Sequence, residues 1–203
     1  MESNIIVTGV GGQGSILVSS IIAQAAIKQH GEKYRVRVGE TFGAAQRGGA
    51  VASHVRVGEG VHGPLVGRGA ADLIIALEPL EGLRLGVNYL SPHGIVVMNT
   101  ARHIPVDVKV GAVTYPELDT IVGALSKLGE RVVHFDGSEL AAEAGSSKVL
   151  SIVMLGAAYA SGKLPVSEEV LLSVISKKVP PQTVETNLAA FMLGKEAFGK
   201  EGV

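Results

Sequence analysis

The chain contains no cysteine and no tryptophan. Without thiols it forms no disulfide, offers no cysteine nucleophile and holds no thiolate-bound iron–sulfur cluster. Aromatic residues are only 4% of the chain, so the core must be built from Val, Ile, Leu and Ala, with Gly and Ala letting backbones approach closely. Charge is also sparse. Asp, Glu, Lys and Arg make up 18%, against about 25% in ordinary soluble domains. A coat this thin fits either a surface covered by another chain or a compact monomer. The formal net charge of −1, with no basic stripe, argues against nucleic-acid binding. Long apolar runs are missing too. The uncharged stretch 149–162 is too short to span a membrane, and residues 1–4 lack the basic start of a signal peptide. A cytoplasmic location is the expectation.

What is present reads as one α/β domain of 203 residues. Residues 4–9 are a short apolar stretch typical of a central parallel strand. The turn Gly9-Val10-Gly11-Gly12-Gln13-Gly14 follows, and then a helix over 15–30, whose first three turns carry no charge and therefore need cover on more than one side. Strands are expected over 34–39, 50–57, 72–77, 95–98 and 131–135. The polar, glycine-rich segment 41–49 joins a pair that can run antiparallel. Residues 61–66 read as a short strand or irregular edge, 91–94 as a turn, and 106–113 as one or two short strands. Helices are expected from Pro79 to about Tyr89 and over 116–128. A helical flank over about 138–198 carries segments 138–144, 148–160, 167–178 and 183–198. The expected fold is one α/β domain with a mixed sheet and a helical C-terminal tail.

Three loops draw attention. The first matches G-x-G-x-x-G at Gly9, Gly11 and Gly14. A strand, a glycine turn and a helix N-terminus can cradle an anion, worth about 0.3–2 kcal/mol. Glu40, near the end of the next strand, stands where a ribose-binding carboxylate would be sought. The same glycines also serve a purely structural turn. Gln13 is suited to donate to a phosphate or to a partner backbone. The second loop, Glu40-Thr41-Phe42-Gly43-Ala44-Ala45-Gln46-Arg47-Gly48-Gly49, gathers polar and small residues. Its Arg47 is suited to a carboxylate or phosphate, although a simple edge-closing loop has the same composition. The third, Glu78-Pro79-Leu80-Glu81-Gly82-Leu83-Arg84, lies at the carboxyl end of a buried strand, where ligands bind in open α/β sheets. Its spacing pairs Glu81 with Arg84, and Asn99 closes the following strand. Helix capping and surface pairing explain these residues equally well.

The six histidines are scattered, and no H-E-x-x-H, P-loop or G-x-S-x-G appears. No nucleophile, metal cluster or carboxylate pair stands out, so the residues do not compose a complete active site. They leave three readings: an accessory enzyme subunit, a stand-alone dinucleotide-binding oxidoreductase, and a regulatory or scaffold protein that self-associates.

Taken together, the first glycine turn, Gly43 to Gly49 followed by Ser53-His54-Val55-Arg56, then Ala71-Asp72, Leu77-Glu78-Pro79-Leu80-Glu81 and Asn99-Thr100, resemble the gamma subunit or domain of 2-oxoacid:ferredoxin oxidoreductases. Within that family the small (beta) subunits acting with indolepyruvate enzymes are most similar. The resemblance covers most of the chain. It implies a three-layer α/β/α sandwich with a mostly parallel sheet, and a non-catalytic small subunit with little activity alone, serving oxidative decarboxylation of an aryl pyruvate to an acyl-CoA with ferredoxin reduction. It implies that thiamine diphosphate, magnesium and [4Fe-4S] clusters sit in a large partner subunit, that coenzyme A is used by the complex, and that no cofactor is held tightly by this chain. By the same resemblance, Gly11, Gly12, Gln13 and Gly14, and Gln46, Arg47, Gly48 and Gly49, lie near the partner chain or coenzyme A. No catalytic or metal-binding residue is implied.

Overall fold

The computed structural model describes residues 2–42, 49–104, 108, 111 and 114–200. Its frame is a mixed six-stranded sheet. In chain order the strands are β1 (Glu2–Val10), β2 (Arg35–Phe42), β3 (Ala50–Gly58), β4 (Ala71–Ala76), β5 (Leu90–Asn99) and β6 (Arg131–Phe135). Their spatial order is β2-β3-β1-β4-β5-β6. β1, β4, β5 and β6 run parallel, whereas β3 is antiparallel to both β1 and β2. The expected mixed sheet is therefore present, and the antiparallel pair is the one flanking the second glycine loop.

Side-chain alternation along the parallel strands divides the core in two. Ile5, Val7, Leu73, Ile75, Ile95, Val97 and Val133 face one layer, and Ile6, Ile74, Ala76, Val96 and Met98 face the other. The larger layer contains α1 (Ser15–His30), α4 (Gly137–Glu143), α5 (Leu150–Ala160), α6 (Glu168–Lys178) and α7 (Val184–Lys200); the smaller contains α2 (Pro79–Tyr89) and α3 (Leu118–Ser126). As its bare sequence demanded, α1 is covered on two sides, by the sheet and by α6. α5 is buried continuously from Leu150 to Ala158. It approaches α7 so closely that a Cβ on Gly156 would fall 2.0 Å from the Phe191 carbonyl oxygen, and one on Gly194 would fall 1.8 Å from that of Val153.

Local chemistry sets the helix ends. Glu78 caps α2 by accepting from the Glu81 N–H, with Pro79 in the first turn. Asp136 caps α4, and Ser167 caps α6.

Residues 61–66 form no strand and are irregular, one of the two forms expected for them. Two expectations need revision. The turn expected at 91–94 lies inside β5, where the register jumps from Ala71 opposite Leu90 to Leu73 opposite Ile95. Pro92 and Gly94 are thus accommodated as an irregularity in the ladder rather than as a break between elements. The second strand continues through Phe42, so Glu40 and Thr41 belong to β2 and not to a loop. Of the strands expected over 106–113, only Val108 and Gly111 are among the described residues, and they are in a helical and a turn conformation.

Candidate functional site: the carboxyl rim of the sheet

β1 and β4 are parallel neighbours whose helices leave to opposite faces, α1 to one layer and α2 to the other. This is the topological switch point at which open α/β sheets form a crevice. Here Gln13 fills it. Its Oε1 accepts from the Val10 N–H at 2.7 Å, and its Nε2 donates to the Leu77 carbonyl at 3.2 Å. The amide therefore ties the first glycine turn to the end of β4. Gly9 is required for this geometry, since a Cβ there would come within 2.6 Å of Gln13 Oε1 and 2.9 Å of Leu77 Cβ. Gly12 and Gly14 adopt φ values of 104° and 96°, the left-handed region that side chains avoid.

The Leu77 carbonyl receives a second amide. Asn99 Nδ2 donates to it at 3.1 Å, and Asn99 Oδ1 accepts from the N–H of Gly137 at 2.9 Å and of Ala101 at 3.3 Å. Gln13 and Asn99 thus make a row of hydrogen bonds across the carboxyl ends of β1, β4, β5 and β6. Asn99 is 1% exposed, and its polar atoms are used within the chain.

Glu78 follows directly. Its side chain is fully buried; one oxygen accepts from the Glu81 N–H at 3.0 Å and the other from the Tyr115 hydroxyl. Burial pushes the carboxyl above its ordinary range, opposed by the hydrogen bonds from Tyr115 and from neighbouring backbone N–H groups. The Tyr115 hydroxyl is pushed up as well, first by burial and then by Glu78. Arg102 lies 5.1 Å from the Tyr115 ring and pairs with Glu117 at 2.9 Å. Glu81 pairs with Arg84 at 2.9 Å, as their spacing predicted.

The structure brings the two glycine loops together at one described contact: the Gly11 N–H donates to the Gly49 carbonyl at 2.9 Å. Gln46, Arg47 and Gly48 lie outside the described residues. Glu40 is exposed on β2, with β3 between it and β1. At ordinary strand spacing that is roughly 10 Å from β1. It is not beside the glycine turn, and Gln13 occupies the crevice, so the geometry gives little support to a ribose-binding carboxylate. Sequence reasoning missed Tyr115 and the Leu77 carbonyl. Tyr115 had one weak signal, an aromatic just before a helix in a polar stretch; a backbone carbonyl has none.

On the rim's solvent side, Gly11, Gly12 and Gly14 are partly or fully exposed, and Ile16 in the first turn of α1 is 47% exposed. A cavity of about 500 Å³ lies next to Leu17, floored by Val149, Val179 and Pro180 and edged by Lys148 and Asn187. Another, of about 550 Å³, lies beside Tyr159, Lys195 and Phe198, near the amino end of β6, where Arg131 stacks on Phe198 at 4.8 Å. Among the described residues there is no cluster of three or more metal-ligating side chains, and no helix is long and apolar enough to cross a membrane.

The family model for pyruvate ferredoxin/flavodoxin oxidoreductase matches residues 4–197. Indolepyruvate oxidoreductase subunit IorB of Thermococcus kodakarensis is 41% identical over 197 residues, 97% of this chain and 96% of that protein. The same subunit of Methanothermobacter thermautotrophicus is 39% identical over 199 residues, 98% of this chain and 97% of its own. Among solved structures, the gamma subunit of a keto/oxoacid ferredoxin oxidoreductase from Geobacter sulfurreducens superposes with a TM-score of 0.70 at 24% identity, covering 98% of this chain and 99% of that one. The 2-oxoglutarate:ferredoxin oxidoreductase of Magnetococcus marinus aligns with 98% of this chain through only 31% of its own, with a TM-score of 0.67 at 23% identity. In that protein the same fold is one part of a longer polypeptide.

Proposed function

The chain belongs to the pyruvate ferredoxin/flavodoxin oxidoreductase family, and from that membership we propose that it is the small subunit of an indolepyruvate ferredoxin oxidoreductase. In this reading a larger subunit holds thiamine diphosphate with magnesium and the [4Fe-4S] clusters. The complex decarboxylates an aryl pyruvate oxidatively, forms the acyl-CoA and reduces ferredoxin. Thiamine supplies the carbanion chemistry, and this chain supplies a rigid docking surface.

The observation that carries the proposal is the end-to-end match, 39–41% identity over 94% or more of each of four indolepyruvate oxidoreductase small subunits. The rim's chemistry agrees with it. Gln13 and Asn99 are engaged inside the chain, and Glu78 is buried. What the rim presents outward is glycine backbone and Ile16. Backbone and small apolar groups suit close docking of another chain. In this proposal Gly11, Gly12, Gly14 and Gly49 face the large subunit or its coenzyme A, and Gln46, Arg47 and Gly48 also contact that partner. Gln13 and Asn99 shape the rim from behind, and Glu40 and Glu78 contact no substrate.

The test is co-expression with the thiamine-binding large subunit. A stable complex should form that reduces ferredoxin with indolepyruvate and coenzyme A, while the small chain alone should be inactive. Turnover by the small chain alone, or a large subunit fully active without it, would overturn the proposal.

A further inference from the structure

β2 is the outer strand on one side of the sheet, hydrogen-bonded only to β3 among the described strands. It runs for 8 residues without proline and in continuous register with its neighbour. An edge of this kind is a template for a further strand, and chains that do not use one usually shorten it, kink it or cover it.

Alternation gives its two faces different chemistry. Val36 and Val38 lie opposite Val57 and Val55 on the face of α1, and Val38 is 40% exposed. Arg35 and Arg37 lie on the other face, where Arg37 is directly opposite Arg56. Like charges across a strand pair repel. Arg56 is neutralised by Glu2 at 3.1 Å and also donates to Asn4. Arg35 has only His62, at 3.0 Å, and Arg37 only the Val36 carbonyl, at 3.1 Å. Among the described residues neither guanidinium has a carboxylate. Leu65 packs beside Gly39 on this face and is 53% exposed.

We propose that β2 receives an extended segment of the large subunit as a seventh strand, one that alternates acidic and apolar residues. Its carboxylates lie over Arg35 and Arg37, and its apolar side chains lie against Val36 and Val38. Backbone hydrogen bonds supply affinity, and the alternation fixes register. The inference rests on the small-subunit reading above, because the occupant belongs to the large subunit.

Hydrogen exchange of the small chain, alone and in the assembled complex, tests it. Amides within residues 35–41 should exchange much more slowly in the complex. The doubly reversed variant Arg35→Glu/Arg37→Glu, with its native circular dichroism checked, should lose that protection and assemble about tenfold more weakly. Arg35→Lys/Arg37→Lys should retain most of the affinity. A complex that forms with unchanged exchange over 35–41 overturns the inference and leaves the small-subunit reading intact. So does concentration-dependent protection in the isolated chain, which would assign the edge to a second copy. Failure to form any complex removes both.

Discussion

Gln13 shows how a residue chosen for one role can fill another. A polar side chain in a glycine turn invites a phosphate, yet its amide closes the crevice between β1 and β4. Replacing it with Ala leaves the buried Val10 N–H without its acceptor, which costs about 1–3 kcal/mol. Urea unfolding should show that loss. Gln13→Glu should not restore full stability, since its second carboxylate oxygen would face the Leu77 carbonyl. Glu78 makes a separate prediction. Its carboxyl is raised in the folded chain by burial, so the folded state holds the proton more tightly than the unfolded state. The stability this gives is complete below the unfolded value of about 4.3 and is lost as pH rises through the raised folded value. Glu78→Gln should remove that decline. Unfolding free energies of the two proteins, measured from pH 4 upward, should therefore diverge in favour of the variant; parallel curves would show that Glu78 is not the titrating group. The sequence marked Glu78 and Asn99 as residues of interest, but could not show that they are buried, because each also reads as an ordinary cap or strand end.

Among the elements, α5 and α7 depend on each other most. Their contact needs hydrogen in place of a side chain at Gly156 and Gly194. Gly194→Ala improves intrinsic helix propensity by about 1 kcal/mol but drives a methyl into the Val153 carbonyl. Overpacking costs about 1–3 kcal/mol, more where backbone must move. A lowered melting temperature is the expected result, and a raised one would mean that the helices separate without penalty. Helix positions were largely legible from periodicity: the expected span 15–30 coincides with α1, and 167–178 falls within one residue of α6. The misreading at 91–94 has a physical cause. Ser-Pro-His-Gly is strong turn chemistry, and the residues do depart from regular pairing, but the parallel ladder resumes on both sides and absorbs them.

For the whole molecule, composition and pattern were enough for an α/β fold with a mixed sheet, and the family resemblance added the three layers. Strand order was not legible. Every central strand is a similar run of Val, Ile and Leu, and nothing local says that β3 inserts between β2 and β1. That insertion moved Glu40 away from the glycine turn and weakened the dinucleotide reading. The resemblance put both glycine loops near one partner, and the hydrogen bond between Gly11 and Gly49 came from topology. The packing of α5 also has a consequence for synthesis. α5 is apolar all round and relies on α7, which follows it by more than twenty residues, for part of its cover. While the ribosome is still adding α7, the nascent polypeptide leaves one apolar side of α5 uncovered and open to aggregation, so the larger layer completes its folding after translation has passed residue 184.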